Sequence, residues 1–404
     1  MRCWKRRSAS GFGSGWGYRG ELRTGTGAKL GDLRERVHTG RYRACPVRRV
    51  YIPKSDGGKR PLGIPALENK IVQGAVAEVL GAIYEADFLG FSYGFRPGRS
   101  PHQALAALHT AVMSQKVNWV LDADICSFFD SVDHEWLLRM VAHRVDDRRI
   151  LRLIRKWLRA GVLEKGEWQE TEQGTPQGAA ISPRLANIFL HYVLDLWVHR
   201  WRQRDARGRV IVVRYCDDFV VGFQYEADAR EILEDLRGRL GRFNLSLNEE
   251  KARLIEFGRL PALRRVRDGE RRPETFAFLG FIHYCGWTRD GRLVLKRRTQ
   301  SKRITRKLRE LREEAWRRMH APLAFRQRWL GQVLRGHYAY YGLPSNFRSL
   351  QGFYWQVLRL WFCSVRRRSQ RRLPMARFGD LLAGFPLPRP RITHPWNTPL
   401  GHLG

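Results

Sequence analysis

The stretch Val210–Phe223 reads VIVVRYCDDFVVGF, two apolar, β-branched runs on either side of Asp217 and Asp218. Val, Ile and Phe runs of this length favour buried, pleated strands, and the acidic pair falls where a tight turn joins them. Charged carboxylates among such neighbours are costly unless something compensates them. A hairpin with two acids at its tip is therefore a candidate divalent-metal site.

A second acidic strand lies upstream. Trp119–Asp130 reads WVLDADICSFFD; it opens as a strand, and strand alternation puts Asp122 and Asp124 on one face. About ninety residues separate it from the hairpin, a distance that suits helical crossovers within a compact α+β domain. If the two strands are neighbours in one sheet, Asp124, Asp217 and Asp218 can hold hard, oxygen-liganded cations such as Mg²⁺. Two such ions about 3.5–4 Å apart activate an attacking oxygen and stabilise a leaving one, the logic of nucleotidyl transfer.

The charge of the chain narrows the substrate. With 404 residues, there is room for two or three domains, and 74 Lys+Arg against 39 Asp+Glu give a net charge of +35. Such a balance favours polyanions, whose condensed counterions are released on binding. No apolar run approaches the ~18 residues of a membrane span, so no membrane partner is expected. The first twenty residues carry no apolar core of a secretory signal. Six cysteines are scattered singly, without a C-x-x-C pair. Reduced thiols in a cytoplasmic protein are expected.

Around these strands the pattern alternates. Residues 1–31 are rich in Gly, Ser and Arg and read as a flexible segment, with a short helix from Asp32 to Gly40. VRRVYIP and RPLGIP flank the turn signal SDGG, a basic hairpin carrying Lys54, Lys59 and Arg60. Such a hairpin can grip a triphosphate or a template phosphate, or be a solvated charge cluster. Helical pattern runs from Glu68 to about Tyr84, and Ser100–Pro101 reads as a cap and first turn. A Gly-rich connection, EQGTPQGAAISP, precedes an amphipathic helix from Pro183 to about Arg202, capped by Ser182. Glu274–Tyr284 is strand-like. From Lys296 to Arg372 the pattern is helical, with about twenty Lys or Arg, three acidic residues and interleaved Trp and Tyr. Basic helices carrying aromatics suit a nucleic-acid surface. The tail reads as Pro-rich and extended.

Y-x-D-D between apolar strands, D-I-x-x-F-F-D, Q-G-x-P-Q-G and F-L-G-F, in this order, resemble the reverse transcriptases. More closely, the chain resembles the group II intron-encoded reverse transcriptase/maturase, over about Asp32 to Trp396. The resemblance implies a right-hand polymerase: fingers and palm with an antiparallel sheet over 32–290, a helical thumb/maturase region binding RNA over 291–372, and a Pro-rich tail over 373–404. It implies RNA-directed DNA polymerase activity with two Mg²⁺ ions, for which Mn²⁺ can substitute. Its partners would be intron RNA as template and splicing substrate, a DNA primer or target, and dNTPs.

By the same resemblance Asp124 and Asp217 are the main metal ligands and Asp218 the weaker third acid. Phe129 is the aromatic gate against a ribose 2′-OH, and Gln177 lies near the incoming sugar. Lys54 and Arg60 clamp the triphosphate, and Lys251 protonates the leaving pyrophosphate. Phe278, Leu279, Gly280 and Phe281 form the primer grip. The chain departs from the family in having Cys216 where alanine is usual, a short glycine-rich front end, and no Cys/His-rich nuclease module after the maturase region. Two other readings remain: an RNA-binding maturase whose polymerase has decayed, and a domesticated defence or CRISPR-associated reverse transcriptase.

Overall fold

A computed structural model of the chain describes residues 26–53, 58–171, 173–175, 178–250, 252–270, 274–367 and 374–395. Helix α1 (Thr26–His38) leads to the antiparallel pair β1 (Val47–Pro53) and β2 (Lys59–Ile64), then to α2 (Leu67–Tyr84) and α3 (Pro101–Ser114). Strand β3 (Trp119–Asp124) is followed by α4 (Phe128–Ser131), α5 (His134–Ala142) and α6 (Arg148–Leu158). The short strands β4 (Val162–Glu164) and β5 (Glu167–Gln169) join the first pair in a sheet of order β2-β1-β4-β5. Helix α7 (Ser182–Leu190) continues through a π-turn, His191–Asp195, into α8 (Leu196–Arg204). The opening stretch then forms β6 (Val210–Tyr215) and β7 (Asp218–Phe223), followed by α9 (Glu226–Gly241), β8 (Arg253–Glu256) and α10 (Arg259–Arg267).

These strands make the central antiparallel sheet, of order β6-β7-β3-β8. Both its faces are buried, which is why its strands read as nearly continuous apolar runs. Leu121, Ala123, Val212, Phe219 and Val221 face a core shared with α2, α5, α6, α7 and α9. Val120, Ile211, Val213 and Val220 face a second core, shared with α3 and a three-stranded sheet of order β11-β10-β9. That sheet comprises β9 (Phe276–Phe278), β10 (Phe281–Trp287) and β11 (Leu293–Thr299).

Three helices follow: α11 (Ser301–Arg317), α12 (Leu323–Tyr341) and α13 (Phe347–Arg366), around Leu311, Leu334, Tyr338, Phe353, Val357 and Trp361. A last helix, α14 (Met375–Gly384), sets Phe378 edge-on against Trp361 and Phe362. The chain after it lies along α12. The Tyr338 hydroxyl donates to the Pro388 carbonyl at 3.1 Å, and the Thr393 and His394 amides donate to the Gly342 carbonyl at 2.9 and 3.0 Å.

Several elements differ from the sequence reading. The first helix starts at Thr26 rather than Asp32, and the first 25 residues lie outside the described ones. Ser182 is not a cap: Ile181 holds the N-cap place and Ser182 is buried within the helix. The basic stretch read as helix from Lys296 is strand until Thr299, because β11 pairs with β10 along its whole length. Helix α14 precedes the Pro-rich stretch PLPRPRITHPW, whose described residues 386–395 form neither helix nor strand, in keeping with an extended tail. Ser100 does cap α3, in a reciprocal capping box with Gln103. Among the described residues, no helix is long and apolar enough to cross a membrane.

Candidate active site

Strands β3 and β7 are direct neighbours, and their register sets Asp124 opposite Asp218. Two residues, Cys216 and Asp217, join β6 to β7, so Asp217 stands at the tip and Asp218 begins the strand. Cys216 takes φ +60°, a left-handed conformation at the first turn position where glycine is usual. For an L-residue this costs on the order of 1–2 kcal/mol. The turn is closely backed by Gly94, where an added Cβ would overlap the Cys216 amide nitrogen and Sγ. Burial pushes the Cys216 thiol up to about 12.

Four carboxylates share this end of the sheet. Burial raises Asp217, and the charge of Asp124 adds to it, against the guanidiniums of Arg60 and Arg214. Burial together with Asp217, Asp122 and Asp124 pushes Asp218 up to about 7, while Arg303 of α11 pulls the other way. Asp122 is raised to about 6 by burial and by Asp124, although Arg253 and the Ala277 amide favour its charged form. Among the described residues no three side chains converge as a finished ligand set. The carboxylates instead repel one another in a poorly hydrated place, a surplus of negative charge that a hard divalent cation would balance. The donor set therefore fits Mg²⁺.

Asp122 was not among the site residues expected from sequence. Its signal was strand alternation, which put it on the same face as Asp124. By accepting from Ala277 it links the central sheet to β9.

Phe129 sits half-buried as the second residue of α4, whose N-cap is the left-handed Ser127. The Thr175 amide donates to the Phe129 carbonyl at 2.7 Å and the Gly174 amide to the Val132 carbonyl at 2.8 Å. A Cβ at Gly174 (φ +87°) would lie 2.9 Å from the Asp130 carbonyl oxygen. Gly174 and Thr175 are thus stitched to the helix carrying Phe129 and to the residue that follows that helix. Gln177 itself lies outside the described residues, as do Lys54 and Lys251. Arg60 is described: it is exposed on β2 opposite Ile52, with its charge acting on Asp217. Close to position 251, the Asn248 amide donates to the Asp124 carbonyl and the Ala252 amide to the Asn248 carbonyl, both at 2.8 Å.

Phe278–Phe281 forms the β9–β10 hairpin, with Leu279 at φ +47° and Gly280 at φ +83°. Left-handed conformations at both central positions match the hairpin's natural twist. All four residues are buried. The Leu279 carbonyl accepts from the Tyr340 hydroxyl at 3.0 Å and the Gly280 carbonyl from the Gln300 amide at 3.1 Å. The Phe281 ring packs on Tyr340 and Tyr341.

This arrangement, an antiparallel sheet with facing acids, a basic hairpin and a helical bundle, has the right-hand polymerase fold. The reverse transcriptase (RNA-dependent DNA polymerase) family matches residues 52–283, and the chain belongs to it. Protein YkfC of Escherichia coli (strain K12) is 36% identical over 282 residues, 60% of this chain and 74% of that protein. The group II intron-encoded protein LtrA of Lactococcus lactis subsp. cremoris is 39% identical over 180 residues, covering 44% of this chain and 30% of LtrA. An uncharacterised 91 kDa protein in the cob intron of Schizosaccharomyces pombe is 44% identical over 169 residues, 42% of this chain and 21% of its own length. The chain thus spans less than a third of these two intron proteins. Among solved structures, apo telomerase from Candida Tropicalis shares the fold, with a TM-score of 0.50 at 13% identity over 85% of this chain and 62% of that one.

Proposed function

We propose that the chain is an RNA-directed DNA polymerase that also binds group II intron RNA, assisting its splicing and mobility. The observation that carries the reading is Asp124 facing Asp218 across β3 and β7, with Asp217 at the adjoining tip. Asp124 and Asp217 would hold two Mg²⁺ ions, or Mn²⁺ in their place, with Asp218 as third acid. Bound there, the metals supply Lewis acidity to an attacking primer oxygen and to a leaving pyrophosphate.

The chain's own residues do the rest. Lys54 and Arg60 neutralise and orient the dNTP triphosphate. Phe129 presents a ring edge to the sugar, excluding a 2′-OH, and Gln177 lies beside it. Lys251 delivers a proton to the departing pyrophosphate. The hairpin of Phe278, Leu279, Gly280 and Phe281 sets the primer end through its backbone, since its side chains are buried. Fingers and palm occupy the chain as far as β11, and the helices from Ser301 onward form the thumb and RNA-binding surface. On α11 the exposed Lys302, Arg309, Arg312 and Trp316 lie on one side, with Arg367 stacked over Trp316 at 4.9 Å. A cation beside an exposed indole suits phosphate and base together.

The reading is tested by primer extension on a generic RNA template with purified protein. Mg²⁺-dependent cDNA synthesis is expected, and Asp217→Ala should abolish it while RNA affinity stays the same. Undiminished synthesis in that variant would refute the assignment. An inert wild-type protein that still binds flanking intron RNA and promotes its splicing at low Mg²⁺ would favour a maturase whose polymerase has decayed.

A further inference from the structure

Behind the catalytic turn, on the face of β6 away from the carboxylates, Arg214 is fully buried and points into the helical core. Its Nε and Nη2 donate to the two carboxylate oxygens of Asp195, at 2.6 and 2.5 Å. Nη2 also donates to Ser92 Oγ at 2.7 Å. Nη1 donates to the Cys216 carbonyl at 2.8 Å and to Asn187 Oδ1 at 3.2 Å. These bonds match in number the five N–H donors of a guanidinium. Asn187 in turn donates through Nδ2 to the Gly94 carbonyl at 2.6 Å. The backbone of Arg214 exchanges bonds with the same loop, its amide donating to the Phe91 carbonyl and its carbonyl accepting from Tyr93, both at 2.9 Å.

Asp195, itself fully buried, is the last residue of the π-turn His191–Asp195. Short π segments are rare and cluster at functional sites. A buried ion pair is a poor device for stability alone, because desolvation offsets most of the attraction and well-packed apolar residues do as well. This one has a directed consequence. The Cys216 carbonyl belongs to the peptide plane that carries the amide of Asp217, and Cys216 sits in the costly left-handed region. Whatever fixes that plane fixes where Asp217 starts.

We propose that the buried Arg214–Asp195 pair is a positioning device: Arg214 grips the Cys216 carbonyl, holding the left-handed turn that aims Asp217 at the metal site, while the π-turn, Ser92 and Asn187 hold Arg214. The proposal rests on the polymerase reading of this site. Arg214 touches neither substrate nor metal; it acts through the turn, and its charge also favours the ionised form of Asp217.

The test separates positioning from stability. In the double variant Arg214→Met/Asp195→Leu the charges are replaced together by apolar side chains, so no buried charge is orphaned and folding, followed by Tm, is retained. The Cys216 carbonyl nonetheless loses its donor. Arg214→Lys is the milder companion, read if the double variant does not fold: it keeps a charge for Asp195 but cannot reproduce the fork. In either folded variant kcat should fall roughly tenfold to 100-fold, as a small misplacement of reacting groups does. KM for dNTP and affinity for an RNA–DNA duplex should stay at wild-type values. Mn²⁺ affinity, followed by the electron paramagnetic resonance of the free ion, should weaken about 10–100-fold; this readout needs no turnover. A folded variant with wild-type kcat and wild-type Mn²⁺ affinity overturns the positioning role. A wild-type protein that neither extends primers nor binds Mn²⁺ overturns the polymerase reading, and the positioning role with it.

Discussion

Asp218 shows how burial and like charge act together on one group. Its carboxyl rises from the ordinary 3.8 to about 7, first through desolvation and then through Asp217, Asp122 and Asp124. Its pKa is thus higher in the folded than in the unfolded chain, so between about pH 4 and 7 the folded protein holds a proton that the unfolded one has lost. Its contribution therefore falls as pH rises through that window and levels off above it. We predict that metal-free protein, kept in EDTA, loses Tm between pH 4.5 and 7.5 more steeply than its Asp218→Asn variant. At pH 8 in EDTA the variant should be the more stable of the two, and with Mg²⁺ supplied it should synthesise less cDNA than wild type. Parallel Tm curves for the two proteins would rule out a raised Asp218. Divalent cation should remove the difference for wild type, because it stabilises the charged form in place of the proton.

Among the elements, the β9–β10 hairpin joins the central sheet to the helical bundle. Asp122 accepts from Ala277 on one side of it, and Tyr340 of α12 donates to Leu279 at its tip. Asn346 strengthens the same junction: fully buried, it accepts from the Thr299 amide at 2.8 Å and donates to the Tyr341 carbonyl at 2.8 Å. Tyr340→Phe keeps the ring against Phe281 and deletes one hydrogen bond, a net change of about 1 kcal/mol. We predict shorter extension products and a raised KM for primer–template, with the rate of single dNTP incorporation at saturating primer unchanged. Unaltered product lengths would mean that the hairpin does not need the bundle to place the primer.

This junction is also where the sequence was least legible. The acidic strands announce themselves because both faces of their sheet are buried, so apolar residues run on without a break and any acid among them stands out. Strand β11, LVLKRRT, hides its alternation. Leu293, Leu295, Arg297 and Thr299 point inward, and Arg297 is only 2% exposed. An inward arginine reads as solvated surface until the fold is known. Arg214 and Asp195 left no local trace either, since nothing in the intervening residues says that a guanidinium and a carboxylate meet in the core. The order of the motifs did carry the architecture, because a two-residue turn and a cross-strand register leave few other ways to bring Asp124 to Asp218.

At the scale of the whole molecule, a charge of +35 favours a polyanion as partner, and from its distribution we infer where one would lie. On α11 part of the charge is internally matched, by ion pairs of Arg306 and Lys307 with Glu310 and of Arg317 and Arg318 with Glu314. Lys302, Arg309 and Arg312 are exposed on the side of Trp316. If these three each neutralise one phosphate, each accounts for about 0.7–0.9 of the slope of log K against log salt. We therefore predict that the triple variant Lys302→Ala/Arg309→Ala/Arg312→Ala binds RNA more weakly at low salt and shows a slope shallower by about 2 to 3. The measurement is RNA affinity from 50 to 200 mM salt, with Tm as the control for folding, since exposed side chains of this kind contribute little to stability. A slope equal to wild type would move the RNA off this side of α11, even if affinity had dropped. A changed slope with unchanged incorporation of a single dNTP at saturating template would show that the helices hold the nucleic acid while the acids of the central sheet, some distance along the chain, do the chemistry.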